Sequence, residues 1–252
     1  TLTVGTKFDD GVSIIALSPT RVLLTMSGGT FVANLIITSY LLDVDPVTGT
    51  ITYLDSFVEF PGPTHETYVK VSSCAIPGRN APIVAYSTNS GDTQLHVVSF
   101  DGFDQLVRGP VCVLSATQPK SMDISVIHPT RAVYCSTNQA GENIYVTSLS
   151  IVDDTITILD HAEYTSTGNN NVTIGKLSPT RVVVGCTEFS EAAEFGLLIH
   201  NETGALTRES TTNYTGTNVQ LLGFGQRATD EIDLVVSDGG QMRISTITAY
   251  QP

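Results

Sequence analysis

Chemistry in this chain would rest on carboxylates, amides and hydroxyls. It has 25 Asp and Glu, 5 His, 4 Cys and no Trp. Asp123 stands alone as an acid inside an apolar, strand-like run. Glycoside hydrolysis needs two carboxylates, one as general acid and one as nucleophile or base. The partners the spacing offers Asp123 are Asp9, Asp10 and Glu66, which precede comparable runs. No GxSxG, HExxH, phosphate loop or dinucleotide-binding motif is present. His65-Glu66 is an isolated pair that reads as a solvated turn. Cys74, Cys112, Cys135 and Cys186 form no CxxC pair and have no Cys–His metal spacing. Three of them sit in apolar runs, where free cysteine acts as a small buried hydrophobe. No DxDxDG calcium loop exists, and Asp43-Val-Asp45-Pro46 reads as a hairpin turn. The expectation is a protein without catalytic activity and without cofactor, calcium being the one ion its oxygen-rich loops could hold.

The balance of the chain narrows its partners. With 12 Lys and Arg its net charge is −13 over 252 residues. That argues against nucleic acid and against anionic membrane surfaces, which need basic patches. No stretch approaches the ~20 apolar residues of a membrane helix. Hydrophobic residues make up 41 %, sufficient for a sizeable core. The start at Thr1, with no signal-like segment after it, fits a mature product or a trimmed chain. Asn171, Asn201 and Asn213 open N-x-S/T triplets, usable only if a secretory pathway made the protein.

The elements that must position these residues come from a repeat. Leu17-Ser-Pro-Thr-Arg21 recurs as Ile127-His-Pro-Thr-Arg131 and Leu177-Ser-Pro-Thr-Arg181. Weaker copies are Cys74-Ala-Ile-Pro-Gly-Arg79 and Phe224-Gly-Gln-Arg227. Five copies give a period of about 50 residues. Each unit reads as strand, Pro-Thr-Arg turn, strand (RVLLTMS, PIVAYST, RAVYCST, RVVVGCT, IDLVVSD), polar loop, strand, Asp/Gly turn, strand (TITYLDSF, TITILDHA). Asp, Asn and Gly supply the backbone angles of the hairpins. Four short antiparallel strands per unit predict an all-β, five-bladed β-propeller in a single domain. The blades cover about 10–60, 67–116, 120–166, 171–213, and 217–250 with 1–7. The last unit stops after three strands, and Thr1-Leu-Thr-Val resembles the fourth strands. The N-terminal strand is therefore expected to complete the last blade and close the ring, removing an open edge.

Aligning the first strands on Leu17, Cys74, Ile127, Leu177 and Phe224 places Ser13, Lys70, Asp123, Thr173 and Gln220 in register. Strand alternation points this polar set toward a central channel and its apolar neighbours between blades. Loops before the first strand and between the second and third share one face. That face collects Asp9, Asp10, His65, Glu66, Asn89, Asp92, Asn138, Glu142, Asn169, Asn170, Glu188 and Asp238. It suits hydrogen bonding to hydroxylated ligands, or simply solvation. Arg21, Arg131 and Arg181 fall on the opposite side and read as architectural, bonding a neighbouring carbonyl or an adjacent blade's acid.

The unit LSPTRVLLTMSG, followed by an extended strand and a D…TGT turn, resembles propeller-like repeats of phage tail and other virion-associated proteins. More distantly, the ring resembles five-bladed lectins of the tachylectin kind, although a platform for sugar rings would here be Tyr or Phe. The resemblance implies an extracellular or virion-surface location and a binding or adhesion role toward a glycan or protein partner. Two other readings stay open. One is a structural subunit of a fibre, appendage or virion assembly, favoured if Tyr40, Leu41, Tyr53 and Phe57 form an exposed patch. The other is a glycosidase using Asp123 with Asp9 or Glu66.

Overall fold

A computed structural model describes residues 11–30, 33–61, 70–87, 92–101, 103–114, 119–138, 143–165, 169–188, 192–200, 203–215, 220–228 and 231–248. Among them every regular element is a β-strand, and the sheets run antiparallel in chain order. The first sheet holds β1 (Val12–Ala16), β2 (Arg21–Thr30), β3 (Ala33–Val44) and β4 (Ile51–Pro61). The second holds β5 (Val71–Ala75), β6 (Pro82–Ser87), β7 (Thr93–Phe100), β8 (Leu106–Arg108) and β9 (Cys112–Leu114). The third holds β10 (Pro119–His128), β11 (Arg131–Asn138), β12 (Asn143–Val152) and β13 (Thr155–Thr165). The fourth holds β14 (Asn169–Ser178), β15 (Arg181–Glu188), β16 (Ala192–His200) and β17 (Leu206–Thr215). The last holds β18 (Gln220–Ala228), β19 (Glu231–Asp238) and β20 (Gln241–Thr248).

Two departures from the four-strand expectation have local causes. In the second sheet β8 and β9 both pair with β7, so one outer strand is split. Pro110 lies in the gap and has no N–H to give, while Gly109 N–H bonds Val97 O at 2.8 Å. The last sheet has three strands, and the segment 1–7 expected to complete it lies outside the described residues.

The chain divides into two compact units. One comprises 1–119 with 152–156, the other 120–151 with 157–252. In the first, the core lies between the first two sheets. Leu23 and Ile37 meet Val84, Tyr86 and Val98, with Phe57 and Val71 packed alongside. In the second unit, Val133, Cys135 and Val146 of the third sheet meet Val172, Ile174 and Val184 of the fourth. The fourth then meets the last through Leu177, Val183, Ile232 and Leu234. Second strands such as Pro82–Ser87 are buried along their whole length because both faces are covered. Strand β19 alternates instead, with Ile232, Leu234 and Val236 buried and the residues between them half-buried.

Glycines enter where a side chain would not fit. A Cβ on Gly175 would lie 2.6 Å from Phe224 Cβ and closer still to Ile232 Cδ1. The fourth and last sheets therefore approach at a spacing that only Gly allows. Gly49 adopts φ +69° at the end of the Asp45 turn, the left-handed conformation glycine favours.

Candidate functional site

The strongest polar constellation on the first strands is built around Asp123. Its Oδ1 accepts the Ile124 N–H at 2.8 Å. Its Oδ2 accepts from Thr173 Oγ1 at 2.7 Å and from the Ile174 N–H at 3.0 Å. Two residues earlier, Ser121 Oγ accepts the Val172 N–H at 3.1 Å. The two strands β10 and β14 are not hydrogen-bonded to each other as a ladder, so these side chains tie one sheet to the next. Sequence alignment brought Asp123 and Thr173 into register, and the structure joins them directly. Ser121 was missed because a lone serine carries no spacing signal.

The first unit shows a related contact. Ser13 Oγ lies 2.7 Å from Ser73 Oγ across two sheets. Lys70 takes a different place from the one the alignment gave it. Ser87 N–H bonds Lys70 O at 3.0 Å as Ser27 N–H bonds Gly11 O at 2.8 Å, so Lys70 corresponds to Gly11. The turn lengths explain the slip. Leu17 N–H bonds Arg21 O, whereas Ile76 N–H bonds Ala81 O, one residue further on. Ile76 is thus the counterpart of Leu17, and Ser72 that of Ser13. Gln220 also shifts. It opens β18 opposite Ser237, as Asn171 stands opposite Thr187, and a bulge between Leu221 and Gly223 puts Gly223 at the place of Thr173.

The loop-face residues are reached unevenly. Asp9, Asp10, His65, Glu66, Asn89 and Glu142 lie outside the described residues, as does Asn201. Asp92 is half-buried just before β7. Asn138 Oδ1 accepts the Asn143 N–H at 3.4 Å, across the end of the β11–β12 hairpin. Asn169 and Glu188 are paired by register at the ends of β14 and β15, with Asn170 beside them at an irregularity. Asp238 lies 3.2 Å from Arg243 Nε across the β19–β20 hairpin. Asn171 is exposed, and Asn213 pairs with Glu194 in the β16–β17 ladder. No group of three or more potential metal ligands occurs among the described residues.

Of the turn arginines, Arg21 and Arg79 brace one sheet to the next, whereas Arg181 stays within its own. Arg21 pairs with Asp43 of its own sheet and, at 3.1 Å, with Asp104 of the second. Arg79 pairs with Asp154 of the third sheet's hairpin. Arg181 lies 3.6 Å from Glu209 on the outer strand of its own sheet. A second brace recurs on the outer strands. Asp55 Oδ2 accepts the Leu106 N–H at 2.7 Å, and Asp160 Oδ2 accepts the Leu206 N–H at 2.7 Å. The Leu-Asp of TITYLDSF and TITILDHA is therefore a link to the following sheet.

Sequence reading gave no hint of a buried pair in the first unit. His96 Nε2 lies 2.8 Å from Glu59 Oε2, both side chains wholly shielded. Ser39 Oγ donates to Glu59 Oε1 at 2.6 Å, and Thr25 Oγ1 lies 2.8 Å from Ser39 Oγ. Beside it, burial pushes the Tyr86 hydroxyl up to about 12, against the attraction of Arg108.

No known family model matches the chain, and no curated protein matches it. Among solved structures, Sqt1 of Chaetomium thermophilum is similar with a TM-score of 0.55 at 10 % identity, over 95 % of this chain and 70 % of that one. The β-propeller domain of Vanderwaltozyma polyspora Nup133 matches with a TM-score of 0.48 at 12 % identity, over 84 % and 68 %. The fold is a β-propeller. It rests on successive up-and-down antiparallel sheets whose cores, within each unit, lie between one sheet and the next. At these identities the similarity speaks of fold alone.

Proposed function

We propose that this propeller is a non-enzymatic recognition module of an extracellular or virion surface, which binds a glycan or protein partner through its loop face. The observation that supports it is the engagement of Asp123, whose Oδ2 braces the neighbouring strand β14 while its Oδ1 accepts the N–H of the next residue on its own strand. A general acid or nucleophile needs a carboxylate facing substrate. The proposed module is a closed five-bladed ring, with segment 1–7 as the outer strand of the last blade. Its support is a difference in exposure at equivalent positions. Val12 and Ile14 are 49 % and 66 % exposed, while Val172 and Ile174, nine and seven residues before Arg181 as those precede Arg21, are 5 % and 6 %. On the last sheet Met242 and Ile244 are likewise exposed. Closure would cover both apolar faces.

The rival role as an assembly subunit has mixed support. Leu41 is fully buried, and Tyr40 and Phe57 are half-buried, so the expected patch reduces to Tyr53 with Ile51 and Val58 on β4. Light scattering on the purified chain, followed by a glycan array, tests the reading. A monomer that binds a defined sugar or protein supports it. A polymer that ignores every glycan overturns it in favour of the structural role. Turnover of a glycoside that Asp123→Asn abolishes in a folded protein would make it a glycosidase.

A further inference from the structure

Three hairpin tips of the first unit form a braced row on the side of the Arg21 turn. The first is the turn from Asp45 between β3 and β4, the second the turn closed by the Asp101 N–H on Gln105 O between β7 and β8, the third 152–154 between β12 and β13. Arg21 ties the base of the first to the second through Asp43 and Asp104. Arg79 and Gly109 tie the second sheet to the third tip at Asp154, where a Cβ on Gly109 would lie 2.9 Å from the Asp154 carbonyl oxygen. The tips are also ordered from within. Asp45 Oδ1 accepts the Val47 N–H at 2.8 Å, and Asp101 Oδ1 accepts the Phe103 N–H at 2.8 Å. Asp104, Asp153 and Asp154 hold left-handed backbone, with φ of 59°, 46° and 66°.

Each ordered tip holds an apolar side chain out in solvent. Val47 is 91 % exposed, Phe103 87 % and Val152 58 %. Nothing in the packing of the first unit requires a phenylalanine there, and exposed aromatics on rigid supports are the usual anchors of interfaces. Charge decides the partner's sign. The row carries six carboxylates, of Asp43, Asp45, Asp101, Asp104, Asp153 and Asp154, against three guanidiniums, of Arg21, Arg79 and, opposite Ser150 at the base of the third tip, Arg131. Hydrogen bonds from Thr48 and the Val47 and Thr48 N–H groups hold the Asp45 carboxyl below its usual range, so its charge persists into acid.

We propose that this row of hairpin tips docks a cationic protein segment that carries apolar side chains, seating them on Val47, Phe103 and Val152 while its Lys or Arg meet the surrounding aspartates. This surface is separate from the loop face of the recognition module.

The test is fluorescence anisotropy with two labelled peptides, one alternating Leu with Arg and one alternating Leu with Glu. The Leu/Arg peptide is expected to bind the full chain, more weakly as salt rises, and the Leu/Glu peptide not to bind. Val47→Ser with Phe103→Ser should weaken binding about tenfold or more, with an unchanged urea midpoint. Asp45→Asn, Asp101→Asn and Asp153→Asn together keep the turns but lose the charge, and should weaken it similarly. Glu231→Gln in the second unit should leave it unchanged. Absence of binding, equal binding of both peptides, or tip variants that bind as the parent does would overturn the proposal. So would self-association abolished by Phe103→Ser, which would make a second copy of the chain the occupant.

Discussion

Glu59 on β4 and His96 on β7 meet at 2.8 Å with neither side chain reached by solvent. The contact joins the first two sheets through two polar side chains in the middle of an apolar core. Its alignment is imperfect, for neither His96 nitrogen completes a well-aligned hydrogen bond among the described residues. Ser39 and Thr25 extend it inward on the Glu59 side. Such a pair is weak evidence of net stability, but leaving one member alone is costly.

The first prediction follows from that asymmetry. Glu59→Leu or His96→Leu alone should destabilise the protein by roughly 3 kcal/mol or more. The double variant should recover much of that loss. Urea unfolding of the four proteins measures the coupling. Additive losses would show that the two residues do not act as a pair.

Gly175 marks the tightest approach in the second unit. Gly175→Ala should cost about 1–3 kcal/mol, because its Cβ needs the space of Phe224 and Ile232. Ile232→Val in the same chain should relieve part of it. Thermal unfolding of single and double variants checks both. A neutral Gly175→Ala would mean the sheets separate without cost.

Asp160 and Asp55 perform one task in different units. Removing the acceptor with Asp160→Ala should cost about 1–3 kcal/mol, since the Leu206 N–H loses a charged partner. Asp160→Asn keeps an oxygen there and should cost less. Hydrogen exchange at Leu206 reports the bond itself, and faster exchange is expected in the alanine variant.

Cys135 sets a pH dependence. It is fully buried, and desolvation, helped by the Asp123 charge, pushes its thiol well above the ordinary 9.0. The folded state thus keeps a proton that the unfolded state releases. The stability linked to Cys135 is whole below pH 9 and declines as pH rises above it. Cys135→Ala should flatten that decline in urea midpoints between pH 8 and 10. In the native protein Cys135 should also resist iodoacetamide at pH 8.5 while denatured chain reacts. Rapid native labelling would contradict the burial.

Much of the fold was legible in the chain because its signals are local and repeated. Leu17-Ser-Pro-Thr-Arg21 and its copies marked where β1, β10 and β14 turn into β2, β11 and β15. Period-two apolar runs and Asp/Gly turns located the strands. The Asp45 hairpin was read correctly because an Asx turn is written within four residues. The register of Lys70 and Gln220 was misjudged, since one longer turn and one bulge shift a strand without altering its composition. Leu41 and Tyr53 look alike in sequence, yet one is buried and the other exposed, because burial depends on which sheet lies opposite.

By itself, then, the sequence determined strand identity, turn chemistry and the repeat, all of which rest on short-range backbone preferences. Only the tertiary structure decided the pairings. Asp123 with Thr173, Asp55 with the Leu106 N–H, Glu59 with His96 and Arg21 with Asp104 each join residues one sheet apart. Those partners lie tens of positions away along the chain. Sheet twist and stacking, to which no local propensity refers, bring them within hydrogen-bonding distance.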